Sequence, residues 1–165
     1  MRYRNLSLRD AGWVLVCVAA LVALIGITLG AGRAKADDAE DVSALIDQFQ
    51  DAYSNERLTE LRQLFVAEAV VATDGSQGTR QSVCSIDEWL ENTKEYVFDE
   101  NEHLSDVLSN REIHVFRNMA YAVCDYVYTS DTEIGRGVDV LTFLKIRDHW
   151  RIVSLQFTGD ETPKE

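Results

Sequence analysis

Four stretches in the last third of the chain are rich in β-branched, aromatic and alternating apolar residues: IHVF at 113–116, AYAVCDYVYT at 120–129, GRGVDVLTFLKIR at 135–147 and WRIVSLQFT at 150–158. The breaks between them, Arg117-Asn118, 130–134 and Asp148-His149, are short and polar. Such breaks suit tight antiparallel connections. The stretches therefore predict a meander of four paired strands.

The first half of the chain has the spacing of amphipathic helices. Apolar residues recur at steps of three and four over 42–53, which predicts a helix that ends near Ser54-Asn55. A second, shorter helix is expected over 58–65 and a short strand over 69–72. The glycines and polar residues at 74–78 are typical of a turn.

A third helix is expected after Ser85. Ser85 and Glu88 have the spacing of a capping box ahead of an apolar run, and the helix should reach about Val97. Three helices followed by paired strands predict one α+β domain.

The first 36 residues have the pattern of an export signal. Three arginines precede the uncharged stretch 11–32, and the small-x-small triplet Ala34-Lys35-Ala36 follows it. We expect a signal peptide over 1–36, cut after Ala36, and a periplasmic or secreted protein. The uncharged stretch is also long enough for an uncleaved anchor, with the domain outside the cytoplasm. The remaining chain divides into a domain over 37–160 and a polar tail over 161–165.

The predicted mature chain is strongly acidic. Residues 1–36 hold five basic side chains and one acidic, which leaves 11 Lys plus Arg against 27 Asp plus Glu and a charge of −16. Such a field repels phosphate backbones and anionic lipids. We therefore expect no nucleic acid partner, and a membrane contact only if the leader is uncleaved.

Two cysteines remain after the leader, Cys84 and Cys124. In an oxidising compartment they are a candidate disulfide, and two buried thiols are the alternative. His103, His114 and His149 show neither H-x-H nor H-E-x-x-H spacing, so we expect no metal site. No nucleotide or phosphate loop pattern occurs either, and we expect no cofactor.

Three segments resemble one known superfamily: VFRNMAYA at 115–122, RGVD at 136–139 and the closing strand WRIVSLQFT at 150–158. Together with the order of elements over 39–160, they resemble the nuclear transport factor 2-like superfamily, which includes SnoaL-like proteins and ketosteroid isomerase. The resemblance implies a cone-shaped α+β fold, with three N-terminal helices packed on a curved, mainly antiparallel sheet around a cavity.

The chain departs from the better-known members of that superfamily. Gln156 stands where many SnoaL-like relatives have a histidine, and the tyrosine and paired aspartates of ketosteroid isomerase have no matching motifs here. Asp125 and Asp139 are the strand carboxylates available to act as a base, and both can equally lie on the outer face of the sheet.

Five side chains are candidates to line the cavity, because such pockets combine apolar walls with a few hydrogen-bonding groups. They are Tyr53, Trp89, His114, Tyr126 and Gln156. Each has an alternative role, as a core aromatic, a surface imidazole or a residue of a subunit contact.

The last two strands predict one almost wholly apolar face. If Asp148-His149 is a two-residue turn, Arg147 pairs with Trp150. One face then holds Val140, Thr142, Leu144, Ile146, Val153, Leu155 and Phe157, and the other holds Asp139, Leu141, Phe143, Lys145, Trp150, Ile152, Ser154 and Gln156. Both faces need cover, so we expect helices on one and a second subunit on the other.

These observations favour a binding module over an enzyme. The expected function is to hold a small, largely apolar molecule in the cavity, or to act as a dimeric interaction domain. The alternative is a metal-independent isomerase, cyclase or dehydratase that works by proton transfer.

Overall fold

The computed structural model describes residues 37–75 and 82–163. The expected leader over 1–36 and its cut after Ala36 lie outside the described residues, as does part of the turn predicted at 74–78. Within the described ranges, none of the helices combines the length and the apolar character needed to cross a membrane.

One six-stranded sheet forms the body of the domain, in the order β2-β1-β6-β5-β4-β3. β1 and β6 run parallel, and the other neighbouring pairs are antiparallel. The strands are β1 Phe65–Thr73, β2 Ser82–Ser85, β3 Ser105–Phe116, β4 Met119–Thr129, β5 Glu133–Ile146 and β6 His149–Pro163. The predicted meander is confirmed as β3 to β6, and β2 was not predicted.

β3 is eight residues longer at its start than the sequence indicated. It begins at Ser105, and its pairing with β4 shifts by one residue between Ser109 and Glu112, where Asn110 has a φ of 48°. This is a β-bulge, in which one extra residue interrupts the alternation and turns later side chains to the opposite face. Because the polar residues of the bulge interrupt the apolar alternation, the first half of the strand was not predicted.

The connection between β5 and β6 lies one residue earlier than predicted. Arg147 and Asp148 form the turn, with φ values of 49° and 66°, as a tight hairpin turn requires. Lys145 rather than Arg147 therefore pairs with Trp150. This moves the register by two residues, so residues near the turn keep their predicted faces.

A second bulge changes the faces further along β6. The pairing shifts between Thr142 and Phe143, so that Leu155 lies opposite Leu141 and Gln156 opposite Val140. The predicted grouping of Leu155 with Val140 and Thr142 is therefore wrong beyond the bulge. β6 also continues to Pro163, so a strand replaces most of the tail expected over 161–165.

The helices follow the predicted pattern. α1 occupies 37–54, and its predicted apolar stripe is buried at Val42, Leu45, Ile46 and Phe49. α2 spans Leu58–Gln63, and α3 spans Ile86–Thr93 and continues into one π-helical turn, Lys94–Phe98. At the predicted capping box, the Glu88 backbone N–H donates to Ser85 Oγ at 3.2 Å.

Apolar packing and polar contacts hold α1 on one face of the curved sheet. Arg111 Nη1 donates to Asp47 Oδ1 at 2.6 Å, and Ser54 Oγ accepts the backbone N–H of Asp106 at 2.9 Å. The face under the helices carries the buried residues Leu141, Phe143, Ile152 and Leu155. We call it the concave face and the opposite one the outer face. The predicted α+β class, helices on a curved and mainly antiparallel sheet, is confirmed.

Candidate functional site

Strand alternation and pairing bring polar side chains together on the concave face. Along β4, Cys124 and Tyr126 are buried, and Tyr128 continues the same two-residue alternation. Asp106 lies opposite Tyr128, and Asp139 lies opposite Cys124. Because directly paired residues share a face, both aspartates point to the helical side of the sheet.

The end of α1 adds a third tyrosine to this group. The hydrogen bond from Asp106 N–H to Ser54 Oγ fixes the last turn of α1 over β3. Burial raises the pKa of the neighbouring Tyr53 hydroxyl well above 10, and electrostatic repulsion from Asp106, Tyr128, Asp139 and Tyr126 raises it further. We call Tyr53, Asp106, Tyr126, Tyr128 and Asp139 the Asp–Tyr cluster.

The two carboxyl groups of the cluster are buried without compensation. Only 8% of Asp106 and 6% of Asp139 is exposed. Burial raises the pKa of Asp106 to about 7, and burial followed by repulsion from Asp106 raises the pKa of Asp139 well above 3.8. A carboxylate that leaves water without gaining a partner favours its protonated form. Asp106 can therefore hold its proton near neutral pH, and burial favours the protonated form of Asp139 as well.

Neither carboxyl group receives a hydrogen bond from the residues that the structure describes; at Asp106 only the backbone is bonded, to Ser54. Over the same residues, the side-chain polar atom that is fully enclosed and unpartnered is Trp150 Nε1. The carboxyl oxygens of Asp106 and Asp139 therefore have no hydrogen-bond donor among the described residues. They are available to a bound molecule.

Aromatic rings form the wall beside the cluster. Tyr53 stacks on Trp89 with ring centroids 6.0 Å apart, and Phe98 meets Tyr53 edge-on at 5.4 Å. Phe65 lies 6.5 Å from Trp89. The rings come from α1, α3, the π-helical turn and β1, so the wall depends on all of these elements being in place. An apolar wall beside two carboxyl groups is the composition of a small-molecule site.

Glycines in the sheet make room for Tyr126. Tyr126 pairs with Gly137, which pairs with Gly159 on the next strand. A Cβ atom at Gly159 would lie 2.3 Å from the Tyr126 hydroxyl oxygen. This hydroxyl therefore occupies the space where a side chain at 159 would project.

Three of the five predicted pocket residues lie on the concave side. Tyr53, Trp89 and Tyr126 belong to the cluster and its aromatic wall. His114 and Gln156 lie instead on the outer face, where both are exposed. His114 pairs with Tyr121 there and stacks on its ring at 4.7 Å. Gln156 was moved to that face by the bulge in β6.

The sequence left the orientation of two strand carboxylates open. Asp139 faces inward, whereas Asp125 is exposed and accepts a hydrogen bond from Asn110 Nδ2 at 2.7 Å. Sequence reasoning missed Asp106 and Tyr128. Asp106 was missed because of the bulge in β3. Without the bulge, regular alternation back from Ile113 would place the Asp106 side chain on the outer face. For Tyr128, the alternation Cys124, Tyr126, Tyr128 was the available signal.

The candidate disulfide is not formed. Cys84 and Cys124 are free thiols, on β2 and β4. Three strands lie between these two, so the separation is about 19 Å at ~4.8 Å per strand, whereas a disulfide needs Cα atoms within about 7 Å. Among the described residues, no group of three or more His, Cys, Asp or Glu side chains is arranged to hold a metal ion.

Two surface clefts of ≈ 220 and ≈ 250 Å³ lie away from the cluster. The first is beside α1 and α2, where Arg57 forms ion pairs with Asp51 and Glu60. The second surrounds the β5–β6 turn and includes Asp148. Charged, ion-paired linings suit an apolar molecule less well than the aromatic wall does.

A family model described as "Putative lumazine-binding" matches residues 37–158. None of the curated proteins matches the chain.

Solved structures share the fold at low sequence identity. A protein from Kribbella flavida has a TM-score of 0.65 at 14% identity, covering 76% of this chain and 92% of its own. An NTF2-like protein of unknown function from Shewanella baltica has a TM-score of 0.60 at 16% identity, covering 78% and 97%. Hexachlorocyclohexane dehydrochlorinase from Novosphingobium barchaimii has a TM-score of 0.62 at 12% identity, covering 84% and 94%. The predicted nuclear transport factor 2-like fold is confirmed.

Burial of Asp106 predicts a pH-dependent stability. Its folded pKa, about 7, lies above the ordinary 3.8, so the folded state holds the proton more tightly and stability falls as pH rises from about 4 to about 7. Asp106→Asn removes this loss. Urea unfolding should show the variant gaining on the order of 2–3 kcal/mol over the wild type between pH 5 and pH 8.

Asp125→Asn is the matched control, since its carboxyl group is on the outer face of β4. It should follow the wild-type pH dependence. Parallel curves for the wild type and Asp106→Asn would contradict the assignment of a buried carboxyl group at Asp106.

Proposed function

Since the chain belongs to the family described as putative lumazine-binding, we propose that its concave face binds a small, largely apolar molecule. The observation that carries this proposal is the pair of buried carboxyl groups that lack a donor among the described residues and lie beside an aromatic wall. The apolar body of the molecule packs on Trp89 and Tyr53, and a polar end reaches the Asp–Tyr cluster.

We also propose that the domain is exported after cleavage of the leader. N-terminal sequencing of the mature protein tests this proposal, and the first residue should be Asp37.

The cluster suits recognition because its groups have different hydrogen-bonding roles. A protonated carboxyl group or a tyrosine hydroxyl donates, and an ionised carboxylate accepts. Inside an apolar site these bonds are stronger than in water, and an unmet group is costly. The arrangement therefore selects a molecule whose polar end matches it and whose remaining surface is apolar.

Removal of the Tyr53 hydroxyl should weaken binding. Native mass spectrometry before and after organic extraction reveals a carried molecule, and calorimetry on the extracted protein with 2-naphthol, a planar probe with one hydroxyl group, measures affinity. We expect Tyr53→Phe to lower the affinity for 2-naphthol by about five- to tenfold, the value of one hydrogen bond.

Tyr121→Phe provides the control, because it removes the same hydroxyl from the outer face. Its affinity should equal that of the wild type. A protein that carries no molecule and does not bind 2-naphthol would rule out the binding role.

A second candidate function is proton transfer without a metal, as in an isomerase, cyclase or dehydratase. The specific observation is the Asp106 carboxyl group with its pKa of about 7, next to Tyr53, which stays a proton donor at neutral pH. A base works best with a pKa near the working pH, and a neutral tyrosine can stabilise a developing oxyanion.

Deuterium exchange separates catalysis from binding alone. With 2-tetralone as an enolisable probe, NMR should show protein-catalysed exchange that rises with pH and levels off above pH 7. Asp106→Asn should slow it by about 100-fold or more, and Asp125→Asn should leave it unchanged. Exchange at the buffer rate with the wild-type protein would remove the catalytic candidate and leave the binding role standing.

We further propose a homodimer through the outer face. One end of that face exposes a group of large apolar side chains that we call the outer patch: Phe116, Met119, Tyr121, Leu144 and Ile146, exposed by 36–62%. Clustered apolar groups of this size commonly mark a protein contact.

Charges favour a second copy as the occupant of the outer patch. Arg151 pairs with Leu144 inside the patch, while Glu112 and Asp125 lie further along the same face. A two-fold axis places the same surface on both subunits, so the basic end of one copy can meet the acidic end of the other.

Leu144→Glu should convert the dimer to a monomer, because it buries a charge in each half of a symmetric contact. Light scattering measures the solution mass. Val83→Glu is the control: Val83 is 73% exposed on β2 at the far edge of the sheet, and its variant should remain a dimer. A wild-type protein with the mass of one chain would overturn the dimer.

A further inference from the structure

We propose that the molecule held on the concave face carries a cationic nitrogen, as an alkylammonium group on an apolar body, and that this nitrogen lies between the carboxyl groups of Asp106 and Asp139. The proposal rests on the binding role proposed above and names the chemical class of the ligand.

The first argument is the absence of a counter-charge at the cluster. Asp106 and Asp139 are each more than nine-tenths buried, and no described residue donates a hydrogen bond or an ion pair to either carboxyl group. Two carboxyl groups that repel each other in an apolar site form a place for one positive charge.

Among the described residues, the polar groups around the two carboxyl groups come from α1 and β4. α1 presents Tyr53 and Ser54, and β4 presents Cys124, Tyr126 and Tyr128. Burial raises the pKa of the Tyr53 hydroxyl well above 10 and that of the Cys124 thiol to about 11, so both stay protonated at pH 7. The described residues of α1 and β4 therefore supply hydroxyl and thiol groups to this end of the concave face.

Two half-buried basic side chains of the sheet, Arg111 and Lys145, are engaged with acids outside the cluster. Arg111 also acts on Cys124, but its guanidinium group is held by Asp47, and Lys145 Nζ is held by Asp38 at 2.6 Å. Neither is free to neutralise the cluster. Across residues 37–75 and 82–163 the cluster therefore has no counter-charge, and the ammonium group of the proposed ligand would supply one.

A neutral donor would satisfy the cluster less completely. When both carboxyl groups are ionised, one hydroxyl group donates a hydrogen bond to only one of them and leaves the second carboxylate unpartnered. A primary alkylammonium group has three donors and a full charge, so it can serve both carboxyl groups at once. The acidic field of a chain with net charge −12 also raises the local concentration of cations.

Proton release provides a signature of this arrangement. The pKa of Asp106 is about 7, so at pH 6 the carboxyl group is mostly protonated. An ammonium group binds the ionised form, and the proton leaves to the buffer. The amine itself stays charged, because an alkylammonium has a pKa of about 10. Amine affinity should therefore rise between pH 6 and pH 8.

The test compares two probes of the same shape, 2-phenylethylamine and 2-phenylethanol, by calorimetry on the extracted protein. At pH 7.5 the amine should bind at least about tenfold more tightly than the alcohol. Asp139→Asn should lower the ratio of amine affinity to alcohol affinity by about tenfold or more, and Asp125→Asn on the outer face should leave that ratio unchanged. Titration of the wild type at pH 6 in two buffers of different ionisation enthalpy should show proton release with the amine only.

The outcomes separate this proposal from the binding role. Equal affinities for amine and alcohol would overturn the cationic class while the concave-face site stands. The cationic class would also be overturned if neither Asp139→Asn nor Asp106→Asn changes the affinity for the amine, because the amine would then bind elsewhere. If neither variant folds, the absence of proton release in the wild type overturns it. No binding of either probe or of 2-naphthol would refute the binding role itself.

Discussion

The position of α1 on the concave face is the constraint on which the site depends. Polar contacts hold the helix along its length: Asp38 with Lys145, Asp47 with Arg111 and Ser54 with Asp106. Between them the apolar stripe of the helix is buried on the sheet. Because α1 ends at residue 54, directly beside Asp106, its last turn delivers Tyr53 to the cluster. A helix shifted by one turn would move this hydroxyl by about 5.4 Å and remove it from both carboxyl groups.

The site is destabilising for the fold and is tolerated because the rest of the domain follows the ordinary rules. Burial without hydrogen bonds penalises ionisation of Asp106 and Asp139, whereas most buried polar groups in proteins are paired. Elsewhere the apolar stripe, the capped α3 and the regular strands agree with one another. A local violation within a consistent fold is where function is expected, since it is retained at a cost in stability.

Much of the architecture could be predicted from side-chain periodicity. The spacing over 42–53 gave α1 and its buried stripe, Ser85 gave the start of α3, and the four alternating stretches gave β3 to β6. The site was only partly predictable. Tyr53, Trp89 and Tyr126 follow from periodicity, but Asp106 does not, because periodicity assigns a face only within an uninterrupted stretch. The sequence could not decide between a Cys84–Cys124 disulfide and two free thiols, because it does not give the distance between two strands of a sheet.

The two bulges decide which side chains reach the concave face. The bulge at Asn110 turns Asp106 inward, and the bulge in β6 turns Leu155 inward and Gln156 outward. A bulge adds one residue to a strand and exchanges the faces of every residue beyond it. A small change in sequence at such a point can therefore replace a whole row of the concave face while the strand order is kept. This is a physical route by which one conical scaffold can present unrelated sets of polar groups to different small molecules.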